Sequence, residues 1–367
     1  MKTKRFKSFP KISQFRNTIQ AVASRVRYEG KDENNEPIFN PTIPLPKLKF
    51  EGTVKIHGTH ASIHKYSVNE SNDNEYYCQS RNNILNYPHN DNAGFGLFMH
   101  NIPIKITNLI FNKVSNDTKL TIYGEWAGQN IQSGVGVARI KKSFFIFKAC
   151  TYIIDKNGDE NRKWIDIRNT FSKKELELLN SHNIYTIYQF PIYQFTIDFA
   201  NPELIQNELI EVTENIEKNC PIANYFGFPN EVGEGAVYSC ITPGWESSDL
   251  TFKVKGEKHS VSKVKKLASV DPDKVATVNE FVENTVTENR LEQGFQATKE
   301  LHSGIDLSPK QMRDFIRWVI TDILSEEADT MTFNNLTNKC IGSKVARKSK
   351  DWFFIRINNQ LNDKMGI

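Results

Sequence analysis

Val54-Lys55-Ile56-His57-Gly58-Thr59 joins two runs that read as strands, KLKFEGT before it and HASIHKY after it. A lysine and a histidine beside a glycine at such a joint have two readings. The bland one is a polar hairpin turn. The sharp one is a reactive amine facing a phosphate, with Gly58 letting the backbone turn and the short residues around Lys55 leaving room for the ligand. A lysine amine attacks only when deprotonated, so a nucleophilic lysine needs cationic neighbours or burial.

Working outward, strand-like segments come in series: KLKFEGTV, HASIHKYS, YYCQS, KLTIYGEWA, SFFIFKACTYII and KWIDI. The tract NESNDNE reads as a hairpin turn by composition. Helical spacing appears at Phe15, Ile19, Val22 and Val26, and a helix is expected from Phe95 to Lys113. Ser172 and Glu175 fit a capping box, and Pro202 opens a helix to Lys218 with Leu204, Ile205, Leu209, Val212 and Ile216 on one side. Two more strands, GAVYSCI and LTFKVK, complete an α+β domain of mostly antiparallel sheets with helices. From Asp271 to Met331 the pattern turns helical, with Ser308-Pro309 opening a helix that carries Met312, Phe315, Ile316, Val319, Ile320 and Ile323. The expectation is a first domain over residues 1–260 and a small, mainly α-helical C-terminal domain over 265–367.

The 367 residues, 38% hydrophobic and 11% aromatic, are enough for two folded cores. The net charge of +4 says little about partners, but its distribution says more. From Met1 to Tyr28 there are eight lysines and arginines and no acidic residue; further basic clusters run from Lys253 to Lys266 and from Lys344 to Arg356. Such clusters often meet nucleic acid, although any one alone is more commonly a solvated face. Five widely spaced cysteines with no C-x-x-C pair argue against a zinc ribbon or a disulfide framework and fit a reducing compartment. No apolar run has the length of a membrane span. The basic, acid-free start has the composition of a transit peptide, but FPKISQFRNTIQAV reads as a folded strand or turn and a helix, so organelle import is not expected.

Chemistry-bearing residues recur at strand ends. Lys253 and Lys255 alternate in FKVK, so both lie on one sheet face, where two cations can hold a phosphate. Glu234 in GEGAV and Glu125 in IYGEWAG are carboxylates placed to bind ribose hydroxyls or a magnesium ion. Arg81, after YYCQS, offers a planar fork to phosphate, and Phe147 in FFIFK offers a stacking platform to a base. Singly each has a plain alternative. KxxG is weak as a motif, Phe147 reads as core, the glutamates read as partners of surface lysines, and FKVK reads as an amphipathic strand.

Their order is more specific. The chain resembles the covalent nucleotidyltransferase superfamily, and within it the bacteriophage RNA ligase 2 family, related to the RNA-editing ligases. The residues that carry the resemblance are Lys55-Ile56-His57-Gly58 followed by Thr59, Arg81 in CQSR, Gly124-Glu125-Trp126-Ala127-Gly128, Phe147 in FFIF, Glu234-Gly235, and Lys253-x-Lys255. The resemblance implies a nucleotidyltransferase (ATP-grasp-like ligase) domain and an ATP-dependent RNA ligase sealing 5′-phosphate to 3′-hydroxyl ends, at nicks in duplex or folded RNA, through lysyl-AMP and RNA-adenylate. It implies that Lys55 is the nucleophile, with Ile56 and Gly58 in the same nucleotide-facing motif. Arg81 and Glu125 would contact ribose or phosphate, and Phe147 would stack on adenine. Glu234 would serve the divalent metal, Mg2+ or Mn2+. Lys253 and Lys255 would bind the α-phosphate, and His57 would act in steps after nucleotide binding. RNA is the expected partner, with no membrane, a monomeric state, and a cytoplasmic setting, the host's if the source is a phage. Two positions depart from the family pattern: His60 stands where Asn is common, and Val54 where relatives carry a Glu that contacts adenine. The alternatives are a DNA or DNA-splinted ligase of the same superfamily, and a catalytically decayed nucleic-acid-binding module. The intact Lys55, Glu234 and Lys253 argue against decay.

Overall fold

A computed structural model describes residues 4–65, 76–117, 119–154, 156, 160–259, 278–302 and 304–365. The NESNDNE turn, the end of the Lys253–Lys266 cluster and the expected boundary at 260–265 lie outside these described residues. In chain order the elements are α1 (Phe15–Arg27), β1 (Tyr28–Lys31), β2 (Pro37–Phe39), β3 (Lys47–Lys55), β4 (Thr59–Lys65), β5 (Tyr76–Ser80), α2 (Phe95–Asn101), α3 (Ile104–Val114), β6 (Leu120–Ala127), β7 (Ser143–Ile154), β8 (Glu160–Ile165), α4 (Lys173–Asn180), β9 (Ile184–Thr186), β10 (Ile192–Asp198), α5 (Gln206–Lys218), α6 (Pro221–Tyr225), β11 (Gly235–Cys240), β12 (Thr251–Lys255), α7 (Val278–Thr285), α8 (Glu288–Leu301), α9 (Met312–Glu326), α10 (Ala328–Phe333) and α11 (Asn338–Met365). This is an α+β protein. Its residues group into two units that alternate along the chain, one of Met1–Pro10, Thr53–Tyr193 and Asn215–Glu234, the other of Lys11–Gly52, Gln194–Glu214 and Gly235–Ile367.

The first unit is built on a sheet of order β5-β4-β6-β7-β8, with β9 added parallel to β7 and the other pairs antiparallel. Alternation along each strand sorts its faces. Ala61, Ile63, Ile122, Phe144, Ile146 and Ala149 turn to one side and pack with Phe95, Met99, Ile106, Ile110 and Leu179 from α2, α3 and α4. The opposite face carries His60, His64, Tyr123, Phe147 and Trp164, whose rings form a connected group. The register steps from Tyr123↔Lys148 to Gly124↔Ile146, so Phe147 is the unpaired residue of a β-bulge.

The second unit contains most of a sheet of order β10-β3-β11-β12. Leu48, Phe50, Tyr238 and Phe252 are buried there, and α1 sets Phe15 against Phe252 at 4.7 Å between ring centroids. Helices α7 to α11 share a core of Phe281, Leu291, Phe295, Phe315, Val319, Ile323, Val345 and Phe353. Among the described residues no helix is long and apolar enough to cross a membrane.

Several expectations change in detail. The single helix expected from Phe95 to Lys113 is two, broken at Ile102-Pro103, because proline lacks the N–H the helix needs and forces its predecessor into an extended conformation (φ −70°, ψ 127°). The helix expected at Pro202 opens as a 3-10 turn over Pro202–Ile205, which leaves Leu204 70% exposed while Ile205, Leu209 and Ile216 are buried. The polar stretch after α1 contains the β1–β2 ribbon.

Candidate active site

Lys55 is the last residue of β3, and the chain leaves the sheet there before β4 begins at Thr59. Its Nζ lies 2.7 Å from Glu234 Oε2, with the lysine side chain 20% exposed and the glutamate 2%. His57 Nδ1 approaches the same carboxylate oxygen at 3.2 Å. One buried carboxylate thus gathers the candidate nucleophile and the candidate histidine, residues separated by nearly 180 positions from Glu234. A carboxylate this buried costs free energy unless charged and hydrogen-bonding partners surround it, which both side chains supply.

Gly58 donates its backbone N–H to Glu125 Oε1 at 3.1 Å, so the KxxG and GE motifs hold each other. The reason for glycine differs from the expected turn. Its φ is not in the left-handed region, but a β-carbon there would fall 2.4 Å from the Trp126 carbonyl oxygen. Ile56 is buried. Val54 is buried as well. Gln132 donates to the Gly58 carbonyl at 3.2 Å, and Asn92 joins Thr59 Oγ1 at 3.1 Å and the His60 carbonyl at 3.1 Å. Neither Gln132 nor Asn92 carried a sequence signal, because a loop-pinning amide has no spacing rule.

Arg81 and Phe147 share a partner that sequence reading missed. Arg81 Nη1 donates to the Phe9 carbonyl at 3.1 Å, and the Phe9 ring stands edge-on to Phe147 at 5.3 Å. Phe9 also meets His60 at 5.6 Å, Tyr123 at 4.9 Å and Trp164 at 6.0 Å. The segment before it is laid along β5, with Tyr77 Oη donating to the Arg5 carbonyl at 2.6 Å and the Lys7 N–H donating to Gln79 Oε1 at 3.1 Å. His60 sits among these rings, where burial first and the Arg81 charge second push its pKa down to about 3. It is a neutral imidazole at neutral pH, polar but uncharged.

Lys253 and Lys255 belong to the second unit. They lie on one face of β12, as the alternation predicted, with Nζ 3.5 Å from Glu326 Oε1 and 3.1 Å from Gln293 Oε1 respectively. In the β11–β12 ladder Lys255 stands opposite Gly235. Gly235 has φ +140°, and a β-carbon there would meet the Val254 carbonyl oxygen at 2.1 Å, so glycine is required after Glu234 on both counts.

Among the described residues no group of three or more His, Cys, Asp or Glu side chains is placed to hold a metal. A single buried carboxylate such as Glu234 still suits magnesium, which keeps most of its waters and binds through one or two carboxylates plus substrate phosphate.

The sequence model of the RNA ligase family matches residues 48–255. A search of curated proteins finds no match. Among solved structures the chain is similar to RNA ligase of Naegleria gruberi. A lysine-to-alanine variant with ATP and Mn gives a TM-score of 0.40 at 16% identity, covering 68% of this chain and 56% of that one. The same ligase with pyrophosphate gives a TM-score of 0.39 at 16% identity, covering 70% and 58%. The chain thus spans little more than half the length of these ligases. The match over residues 48–255 runs from the strand that delivers Lys55 to Lys255 at the end of β12, and it takes in more than half of the protein. The chain belongs to the RNA ligase family.

Proposed function

We propose that this protein is an ATP-dependent RNA ligase of the bacteriophage RNA ligase 2 type, acting as a monomer on 5′-phosphate and 3′-hydroxyl ends at nicks in duplex or folded RNA. The observation that carries the reading is the Lys55 amine, partly exposed and held 2.7 Å from a buried glutamate, in a chain of the RNA ligase family. In the first step Lys55 Nζ attacks the α-phosphorus of ATP. A P–N bond forms, the bond to the bridging oxygen breaks, and pyrophosphate leaves. Glu234 holds the amine in place and lies where it can accept the proton that the amine loses. The AMP then passes to the RNA 5′-phosphate, and attack by the 3′-hydroxyl releases it. Glu234 would help to hold a magnesium ion, which would supply positive charge against the phosphates. Phe147 stacks on adenine, while Arg81 and Glu125 take the ribose and phosphate. Lys253 and Lys255 balance the α-phosphate charge, His57 serves the later steps, and residues 265–367 form the RNA platform.

The test is incubation with ATP and magnesium without RNA, followed by mass mapping. AMP is expected on Lys55. Lys55→Ala is expected to abolish the adduct yet still seal RNA supplied with AMP already on its 5′ end. AMP on another lysine, or none on folded protein, removes the assignment. Side-by-side sealing of all-RNA and all-DNA nicks decides the polynucleotide, and faster sealing of DNA overturns the RNA assignment.

A further inference from the structure

Both amines of the KxK strand are engaged, within their own unit, by helices that carry none of the ordered motifs: Glu326 from α9 and Gln293 from α8. Glu326 is 4% exposed and binds more than Lys253. Lys11 Nζ lies 3.1 Å from its Oε1, and Gln14 Nε2 donates to Oε2 at 2.8 Å. Its main chain is fixed as well, since its carbonyl accepts from the Arg16 guanidinium. The neighbouring acids have other partners, with Asp322 facing Arg290 and Lys11 and Glu327 facing Arg16 and Arg290. Burial works against ionisation of Glu326, yet Lys253 and Lys11 with the Gln14 amide hold its carboxyl down to about 2.

We propose that Glu326 is a positioning residue for nucleotide chemistry, fixing the Lys253 ammonium on β12 so that its remaining hydrogens meet the phosphate, with Gln293 doing the same for Lys255. This rests on the reading that Lys253 serves the α-phosphate. Positioning fits the geometry better than competition for the same hydrogens. A buried carboxylate shared among three donors, two from the segment leading into α1 and one from β12, is an anchor, and an ammonium with three N–H groups keeps donors for a ligand after giving one to Glu326. Lysine is otherwise a charge on a flexible four-carbon stem, and a transition-state contact depends on having that charge in place beforehand. The helical segment thereby contributes to the first chemical step as well as to any role with RNA.

The experiment is single-turnover self-adenylylation of the full chain, with the folded fraction taken from melting curves. Glu326→Gln is expected to lower the rate at saturating ATP about tenfold, less than the ~10²–10³ loss from deleting a direct donor. KM for ATP is expected not to rise, because one negative charge near the phosphates is gone. Glu326→Asp, which keeps the charge on a shorter stem, is expected to recover part of the rate. In a Lys253→Ala background, Glu326→Gln is expected to add no further loss, since both changes act through one amine. A Glu326→Gln protein that labels at the wild-type rate, while Lys253→Ala is slow, overturns the positioning role alone. So does a loss that only tracks the folded fraction. A Lys253→Ala protein that labels at the wild-type rate overturns the underlying assignment of Lys253, and the positioning role with it.

Discussion

Gly58 and His64 show how differently single residues give themselves away. Gly58 was legible in the sequence as a motif glycine, but the reason for it, contact with the Trp126 carbonyl and Ala127, is visible only once β6 lies alongside. Gly58→Ala is expected to destabilise the protein by about 1–3 kcal/mol, the usual cost of overpacking, and to lose AMP labelling even where folded. Melting and labelling of the same sample read both. His64 carried no signal in the sequence. It is fully enclosed on β4, with Ser62 Oγ 2.8 Å from Nε2, Thr121 Oγ1 2.9 Å from Nδ1, and the Tyr77 ring stacked on it at 4.8 Å. One hydroxyl can donate to the ring and the other accept, which suits a neutral imidazole. Burial, then the charges of His60 and Lys7, push its pKa down to about 3. In the unfolded chain it titrates near 6.5, so between those values the unfolded state binds the extra proton. The stability it confers is full above about pH 6.5 and falls steadily as pH drops towards 3, by up to ~1.4 kcal/mol per pH unit. Urea denaturation from pH 7 to pH 4 is expected to show this fall, and His64→Gln to reduce it while the share from His60 persists. An equal slope in the variant would mean that other groups set the acid sensitivity.

The long strands and capped helices were legible because their signals are local. The alternation in HASIHKY places Ala61 and Ile63 in the core and His60 and His64 on the opposite face. The Ser172 box is formed, with the Glu175 N–H donating to Ser172 Oγ at 3.4 Å and the Ser172 N–H donating to Glu175 Oε2 at 2.8 Å. Ser172→Ala is expected to cost about 1 kcal/mol, read as a lower melting temperature, without changing the labelling rate. The elements that stayed hidden lack such signals. Strands β1, β2 and β9 have three or four residues each, too short for a period to register. The bulge at Phe147 leaves no trace in composition, because it is defined by a count against the partner strand. Core was therefore the plain alternative for Phe147, while in the structure only Phe144 and Ile146 of FFIF join the helix-packed core.

Charge along the chain was legible, but its partners were not. The basic start, read alone as a solvated face, has side chains that act as anchors. Lys7 pairs with Glu160, Lys11 with Glu326, Arg16 with Glu327, and Arg25 lies over the Trp245 ring at 4.3 Å. The basic cluster on α11 likewise sends a stripe at helical i+4 spacing into α7 and α8. Lys344 donates to Asn279, Lys348 pairs with Glu283, Trp352 donates to Glu288, and Arg356 pairs with Glu292. What remains on the outer side of α11 is Arg347 and Lys350, both exposed. If the helical segment is the RNA platform, Arg347→Glu and Lys350→Glu are each expected to weaken nick binding and to reduce the slope of log affinity against log salt by about 1, with self-adenylylation unchanged. Unaltered binding in the double variant would move the platform elsewhere. Truncation is a poorer probe of the same question. A chain ending near Lys266 takes Glu326 and Glu327 away from Lys253 and the buried Arg16, and stranding one member of a buried pair costs about 3–5 kcal/mol. Such a chain is expected to melt lower and to label slowly, whatever its affinity for RNA.

The bulge makes β7 unusually forgiving of one kind of genetic accident. Losing a residue from a central strand normally flips every side chain beyond the gap onto the wrong face. Here the ladder pairs Tyr123 with Lys148 and Gly124 with Ile146, so excising Phe147 would restore an unbroken register and leave Phe144, Ile146 and Ala149 facing the core as before. The in-frame deletion is expected to stay folded, with a melting temperature near the parent's, while its affinity for ATP drops. The position proposed to stack on a base is thus one where evolution could remove that ring in a single step and keep the fold.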